Sequence, residues 1–174
     1  MSEWFSLFLV LASTATPRVL PTRPQPMAAT APAAVTLTAT PGTISFTASN
    51  PSTSPSDPGN SAATVTWQYT GTRNNTWNLT VQASAAAFAN CPTVPVSAVT
   101  VTCASTTVSG GGAGACGAAF PLSTTAHVVA SGTEGRNSDT YTVVINFTLA
   151  DSWKYIAKTS PACSSTLSYV TTLQ

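Results

Sequence analysis

The most constraining feature of this chain is an alternation of apolar and polar residues that recurs along most of its length. In residues 76–84, Trp77, Leu79 and Val81 fall on one side of a period-2 repeat, and polar residues fall on the other. Successive side chains of a β-strand point to opposite faces of its sheet. The alternation therefore predicts a strand with one face on a core and one face in water.

The same alternation returns at turn-separated intervals from residue 33 to the end of the chain. Its clearest copy covers residues 141–149, and we expect this strand at the centre of a sheet because its inward face is entirely apolar. The spacing predicts about eight or nine short strands and no amphipathic helix of useful length. We therefore predict an all-β fold, an antiparallel β-sandwich of the immunoglobulin-like kind, with a closed barrel as the alternative.

Two consecutive strands carry aromatic side chains at predicted core positions. Trp67 and Tyr69 share one face of the first strand, and Trp77 and Leu79 share one face of the second. Only a connecting turn at residues 71–75 separates them. The pattern predicts an antiparallel hairpin with these four side chains on its core face.

The N-terminal part of the chain differs in composition from the rest. Residues 1–15 resemble a signal peptide, since the apolar run at residues 4–12 is too short to span a bilayer and small residues follow it. Residues 16–32 are rich in Pro and Ala and predict a linker or a second processing region. Residues 33–174 then form a single β-sandwich domain, with no integral membrane segment in the mature chain.

Charged residues are scarce in this sequence. They make up 6% of the chain, and the formal net charge is +1, whereas about a quarter of the residues in a typical soluble protein are charged. Nucleic-acid binding needs several clustered Lys or Arg residues, so this class of partner is excluded. A surface of Thr, Ser and Asn predicts an extracellular or cell-surface protein that is exported by its signal peptide and packs against other molecules.

Four cysteines, Cys91, Cys103, Cys116 and Cys163, predict two disulfides in an exported protein. Three pairings are open to them. The short separation of Cys91 and Cys103 favours a local bridge, which leaves Cys116 to pair with Cys163. A metal site is not predicted, because the chain has no Cys-x-x-Cys spacing and a single histidine; no cofactor is implied either.

The residues available for acid–base catalysis are few and scattered. His127 is the only histidine, and the acidic residues after the leader are Asp57, Glu134, Asp139 and Asp151, each in or beside a predicted turn. A Ser-His-Asp triad or a carboxylate pair requires positioned partners, and nothing in the spacing brings two of these residues together. We predict that the protein is not an enzyme and has no catalytic residues.

Two further aromatic residues, Trp153 and Tyr155, lie in the loop that follows the strand at residues 141–149. A loop position allows exposure, so these two are candidates for a surface-binding site, including a platform for sugar rings. For Trp67, Tyr69 and Trp77, in contrast, strand phase predicts burial in the core.

The strand Trp77-Asn78-Leu79, with residues 69–75 before it, resembles the first motif region of bacterial WxL-type surface domains. Residues 141–149 and 165–172 are similar to the strands that end such domains. Where that family has a second Trp-x-Leu, this chain has Leu167-Ser168-Tyr169. The resemblance implies an exported β-sandwich held at the cell surface by non-covalent contact with the wall.

Two functions compete on these observations. The first is a secreted, non-catalytic cell-surface or extracellular-matrix domain whose partner is cell-wall polysaccharide. The second is a pilin-like or filament-forming subunit whose partners are identical subunits. In the second case the N-terminal strand at residues 33–40 would pair with the open sheet edge of a neighbour.

Overall fold

All but one of the described elements are β-strands. The computed structural model describes residues 35, 37–46, 56–57, 62–70, 75–135, 138–155 and 161–174; the predicted leader and linker lie outside them. The exception is a 3-10 turn at Val96–Ala98. The strands are β1 (Leu37–Thr40), β2 (Thr43–Phe46), β3 (Ser56–Asp57), β4 (Ala62–Thr70), β5 (Thr76–Ala83), β6 (Ala87–Phe88), β7 (Cys91–Pro95), β8 (Val99–Ser109), β9 (Ala113–Cys116), β10 (Phe120–Pro121), β11 (His127–Thr133), β12 (Ser138–Ala150) and β13 (Cys163–Leu173).

The strand count exceeds the predicted eight or nine because several strands are very short. β3, β6 and β10 have two residues each. Two residues are too few to show an alternation, so sequence periodicity cannot detect such strands. None of the described segments forms a helix with the length and hydropathy needed to cross a bilayer.

Most of the strands form two larger sheets that pack face to face, and β6 and β7 form a separate two-stranded sheet. The first sheet has the order β1-β4-β12-β8-β10, with β3 also pairing with β12, and the second has the order β2-β13-β5-β11-β9. The described pairings between strands are antiparallel. Trp67 of the first sheet meets Trp77 of the second with ring centroids 5.1 Å apart. The predicted all-β sandwich is therefore confirmed.

β12 is the central strand of the first sheet, as its sequence predicts. It pairs with β4 on one side and β8 on the other. Its inward side chains are all buried, and these are Asp139, Tyr141, Val143, Ile145, Phe147 and Leu149. Burial of each large apolar side chain contributes roughly 2 kcal/mol before conformational entropy is counted.

The predicted hairpin of β4 and β5 is wrong. β4 belongs to the first sheet and β5 to the second, and each pairs with strands that are distant in sequence. Alternation reports the face on which a side chain lies, but it does not identify the neighbouring strand. Trp67 and Trp77 do meet, across the interior of the sandwich instead of along one ladder.

The predicted disulfide pairing is also wrong. Cys91 is joined to Cys163 and Cys103 to Cys116, with Cα atoms 5.3 Å apart in each pair. Cys91 begins β7 and Cys163 begins β13, and the backbone bridge between Ala89 and Ser164 brings these two regions together. Proximity in sequence is a poor guide here because the partners of each strand are set by the sheet order.

Two short connections join a strand of the first sheet to the next strand, which lies in the second sheet. Residues 41–42 connect β1 in the first sheet to β2 in the second, and residues 110–112 connect β8 to β9. The Cys103–Cys116 disulfide joins the same two strands as the second crossing. Residues Pro32–Gln174 form one compact unit.

Candidate functional site

The most exposed large apolar side chain among the described residues is Trp153, which is 73% exposed. It lies in the aromatic loop (residues 151–155), directly after β12. Tyr155 in the same loop is half-buried and packs against the core. The structure therefore places one of the two predicted loop aromatics in solvent and uses the other to anchor the loop.

Local hydrogen bonds hold the aromatic loop in a defined turn. The Ser152 amide donates to Asp151 Oδ1 at 2.7 Å, and the Lys154 amide donates to Ser152 Oγ at 3.3 Å. The Tyr155 amide donates to the Ser152 carbonyl at 2.9 Å. Short Asp and Ser side chains that accept from nearby amides fix turns of this kind. Trp153 is thus presented from an ordered turn, beside the exposed side chain of Lys154.

Trp77 and Leu79, the residues of the Trp-x-Leu motif, lie in the core and are 1% and 0% exposed. The indole of Trp77 meets the edge of Trp67 and of Tyr141, with centroids 5.1 and 5.3 Å away. Trp67 in turn stacks on Tyr141 at 5.3 Å. These three rings join the two sheets, so the two apolar side chains of the motif are enclosed in the core.

Two glycines, Gly132 and Gly114, lie against the Trp77 ring. A Cβ atom at Gly132 would lie 2.5 Å from Trp77 Cζ2, and one at Gly114 would lie 3.2 Å from the same atom. Gly132 is on β11 and Gly114 on β9, which pair with each other. The indole therefore fills the space that side chains at these two positions would occupy.

Asp139 is a buried carboxylate that sequence reasoning placed beside a turn. It is 1% exposed. Its oxygens accept hydrogen bonds from the Gly111 amide at 3.1 Å, the Gly135 amide at 2.8 Å and the Tyr141 hydroxyl at 3.1 Å. Burial by itself would raise the pKa of Asp139, but these donors together outweigh it and lower the pKa. The signal was available in the sequence, since Asp139 is in phase with Tyr141.

Glu134 lies near Asp139 and is 6% exposed. Its Oε2 accepts a hydrogen bond from Asn75 Nδ2 at 2.9 Å, whereas Oε1 is buried and has no hydrogen-bond partner in the described part of the chain. Burial raises the pKa of Glu134, the Asn75 hydrogen bond partly offsets that effect, and the charge of Asp139 raises the pKa further.

Both carboxylates are enclosed in the fold, and Asp139 bonds to two separate turns. Asp139 uses its oxygens to hold residues 110–112 and 133–135 against each other, and both side chains are enclosed at one end of the sandwich. General acid–base catalysis requires a carboxyl group within reach of a substrate. The arrangement instead suits the fixing of two turns by charge-assisted hydrogen bonds.

His127, the only histidine, is exposed on β11 and stacks on Phe120 with ring centroids 5.1 Å apart. Within the described ranges, no three His, Cys, Asp or Glu side chains come together in a way that could hold a metal ion. Asp151 is the first residue of the aromatic loop. Asp57 lies near it, at the same end of β12, because Asp57 pairs with Leu149.

On the outer face of the first sheet, threonines of four adjacent strands lie opposite one another. One row across the sheet is formed by Thr38 of β1, Thr66 of β4, Thr142 of β12 and Thr107 of β8. The hydroxyl groups of Thr66 and Thr142 are 3.4 Å apart. Further threonines on this face are Thr40, Thr64, Thr140, Thr102, Thr148 and Thr100. The outward residues of these four strands carry no charge.

No protein-family model matches the chain, and neither does any curated protein or solved structure. The resemblance to WxL-type domains therefore stays a prediction.

Proposed function

We propose that the protein is exported and acts outside the cell as a non-catalytic surface domain that binds cell-wall polysaccharide through the aromatic loop. The observation that carries this proposal is the exposed indole of Trp153 on a hydrogen-bonded turn. An exposed tryptophan on a rigid turn lowers the entropy lost on binding, because the ring is already positioned for its partner.

Export is supported by the covalent chemistry of the domain. Both disulfides are closed, and the described residues contain no free cysteine. Disulfides persist in extracellular and periplasmic compartments and are rare in the reducing cytosol. Together with the signal-peptide-like residues 1–15, they favour a location outside the cytoplasm.

Polysaccharide suits the loop and the surface better than a charged partner does. A sugar ring has an apolar face that can lie on an aromatic ring and hydroxyl groups that can bond with polar side chains. The sheet face described above is uncharged and rich in hydroxyl groups. A strongly charged partner would find no complementary field on such a surface.

Binding can be tested by co-sedimentation of the mature protein with purified cell wall. We expect Trp153→Ala to weaken binding roughly three- to tenfold, the effect of one lost aromatic contact, with no change in the unfolding midpoint. Val170→Ala, at a residue that is 48% exposed on β13, is the matched control and should bind normally. Equal sedimentation of the wild type and Trp153→Ala would contradict the proposal.

Assembly by strand exchange is a second candidate, and the position of β1 favours it. β1 lies at the edge of its sheet, and its only partner among the described strands is β4. The paired residues are Leu37–Trp67, Thr38–Thr66, Ala39–Val65 and Thr40–Thr64. Leu37 and Ala39 pack on the core. An identical strand from a neighbour could occupy the same place, because the ladder and the side-chain contacts would be unchanged.

Size-exclusion chromatography with and without residues 33–40 tests this second candidate. If strand exchange operates, the intact mature chain elutes as oligomers and the shortened chain elutes as a monomer that binds an added peptide of residues 33–40. A monomer in both cases, with no peptide binding, would rule it out.

A further inference from the structure

The two disulfides differ sharply in accessibility. Cys91 and Cys163 are 4% and 3% exposed. In the other pair, Cys116 is exposed and Cys103 is half-buried. Cys116 is therefore open to a reagent in solution in the folded protein, whereas Cys91–Cys163 is enclosed by the core.

The exposed disulfide secures a strand that has few other anchors. β9 (Ala113–Cys116) is the last strand of the second sheet, and β11 is its only partner among the described strands. None of its side chains is buried. Beyond the ladder to β11, the segment is tied at one end by Cys103–Cys116 and by the hydrogen bond from the Gly117 amide to the Val129 carbonyl. At the other end it is tied by the hydrogen bond from the Gly111 amide to Asp139.

We propose that Cys103–Cys116 is a thiol-exchange site that takes a dithiol reductant, and that its opening releases β9 from β11. Strands with few buried contacts open at low free energy, and loss of the cross-link removes the covalent tie at the Cys116 end of this strand. The enclosed Cys91–Cys163 disulfide keeps the rest of the sandwich closed.

The exchange proceeds in two displacement steps. A thiolate of the reductant attacks the exposed Cys116 sulfur, the Cys103–Cys116 bond breaks, and Cys103 leaves as a thiolate that takes up a proton. The second thiol of the reductant then attacks the reductant's own sulfur in the mixed disulfide and frees Cys116. The reductant loses two electrons and ends as a disulfide, and the protein ends with two thiols.

Release of β9 changes the surface in a defined way. The backbone groups of Ala130, Ser131, Gly132 and Thr133 that face β9 lose their partners. The ring of Trp77 also loses the cover of Gly114. β11 then becomes an open sheet edge, the kind of surface to which an extended segment of another chain can add as a strand.

Selective reduction tests the exchange site. The folded protein is treated with limiting dithiothreitol, alkylated with iodoacetamide and mapped by mass spectrometry. We expect Cys103 and Cys116 to be alkylated faster than Cys91 and Cys163 by a factor of about ten or more. Equal rates for the two pairs, or faster modification of Cys91 and Cys163, would overturn the assignment.

Hydrogen exchange of the selectively reduced protein tests the release of β9. Amides of β9 and of the β11 residues that face it should exchange about tenfold faster than in the oxidised protein. Amides of the β5–β13 ladder should be unchanged. The double variant Cys103→Ser/Cys116→Ser should show the same pattern without reductant. Unchanged protection of β9, or loss of protection throughout the sandwich, would refute a local release.

Discussion

Asp139 and Glu134 are buried at the same end of the sandwich, yet their pKa values shift in opposite directions. Asp139 accepts hydrogen bonds from two backbone amides and a tyrosine hydroxyl, and these bonds favour its charged form. Glu134 accepts a single side-chain amide and leaves Oε1 without a described partner. The number of donors aimed at each carboxylate therefore decides the sign of the shift.

We predict that Glu134→Gln stabilises the domain at neutral pH. The pKa of Glu134 is raised in the folded state, so its stabilising contribution is present below the unfolded pKa of about 4.3 and is lost as the pH rises through the folded value. Glutamine cannot ionise and avoids that loss, while its carbonyl can still accept from Asn75. Urea denaturation should give the variant a larger free energy of unfolding than the wild type at pH 7. The difference between the two proteins should shrink toward pH 4.

Asp139→Asn is the matched control and should behave in the opposite way. The pKa of Asp139 is lowered in the folded state, so its contribution is present above the unfolded pKa and is lost as the pH falls through the folded value. The variant should lose roughly 1–3 kcal/mol at pH 7, because charge-assisted hydrogen bonds are replaced by neutral ones. The same pH trend in both variants would contradict the assigned shifts.

At the scale of strands, the close approach of β9 and β11 to the Trp77 ring depends on glycine. Gly132 leaves room for the indole, and the backbone of β9 crosses directly beside it. The aromatic cluster that joins the sheets can therefore sit close to the edge of the second sheet. A larger residue on either strand would push the ring or the edge strand outward.

We predict that Gly132→Ala destabilises the domain by about 1–3 kcal/mol through overpacking. The added Cβ would collide with the backbone carbonyl oxygen of Ala113 on β9, and it would lie 2.5 Å from Trp77 Cζ2, closer than carbon atoms can approach. Gly42→Ala is the control, since a Cβ at Gly42 has no atom within 4 Å. Both variants are compared by chemical denaturation, and equal unfolding midpoints would contradict the predicted overpacking.

At the scale of the whole molecule, long-range covalent and aromatic contacts hold two sheets whose strands pair far apart in sequence. Cys91–Cys163 closes a loop of 72 residues and Cys103–Cys116 a loop of 13. In the chain-entropy description, the longer loop stabilises the folded state by roughly 4 kcal/mol and the shorter by roughly 3.

We predict that removing Cys91–Cys163 costs more stability than removing Cys103–Cys116. The double variant Cys91→Ala/Cys163→Ala loses the larger entropic contribution and also leaves space in the core. Cys103→Ala/Cys116→Ala loses the smaller contribution at a partly exposed site. Denaturation under non-reducing conditions measures both. A greater loss from the exposed pair would contradict this ranking.

The sequence by itself determined which residues face the interior. Trp77, Leu79 and the inward side of β12 are buried as their alternation predicts, because side-chain direction along a strand is a local property with a period of two. The class of fold followed from the same pattern. Asp139 is buried in the same phase as Tyr141, although the sequence predicted a position in or beside a turn.

Only the tertiary structure decided which elements become neighbours. The separation of β4 from β5 into different sheets and the cysteine pairing are non-local. Many pairings satisfy one alternation pattern, and the choice among them depends on how the whole set of strands fills a single core. The same packing left Trp153 in solvent and placed Tyr155 against the core, although the sequence presents them as equivalent loop aromatics.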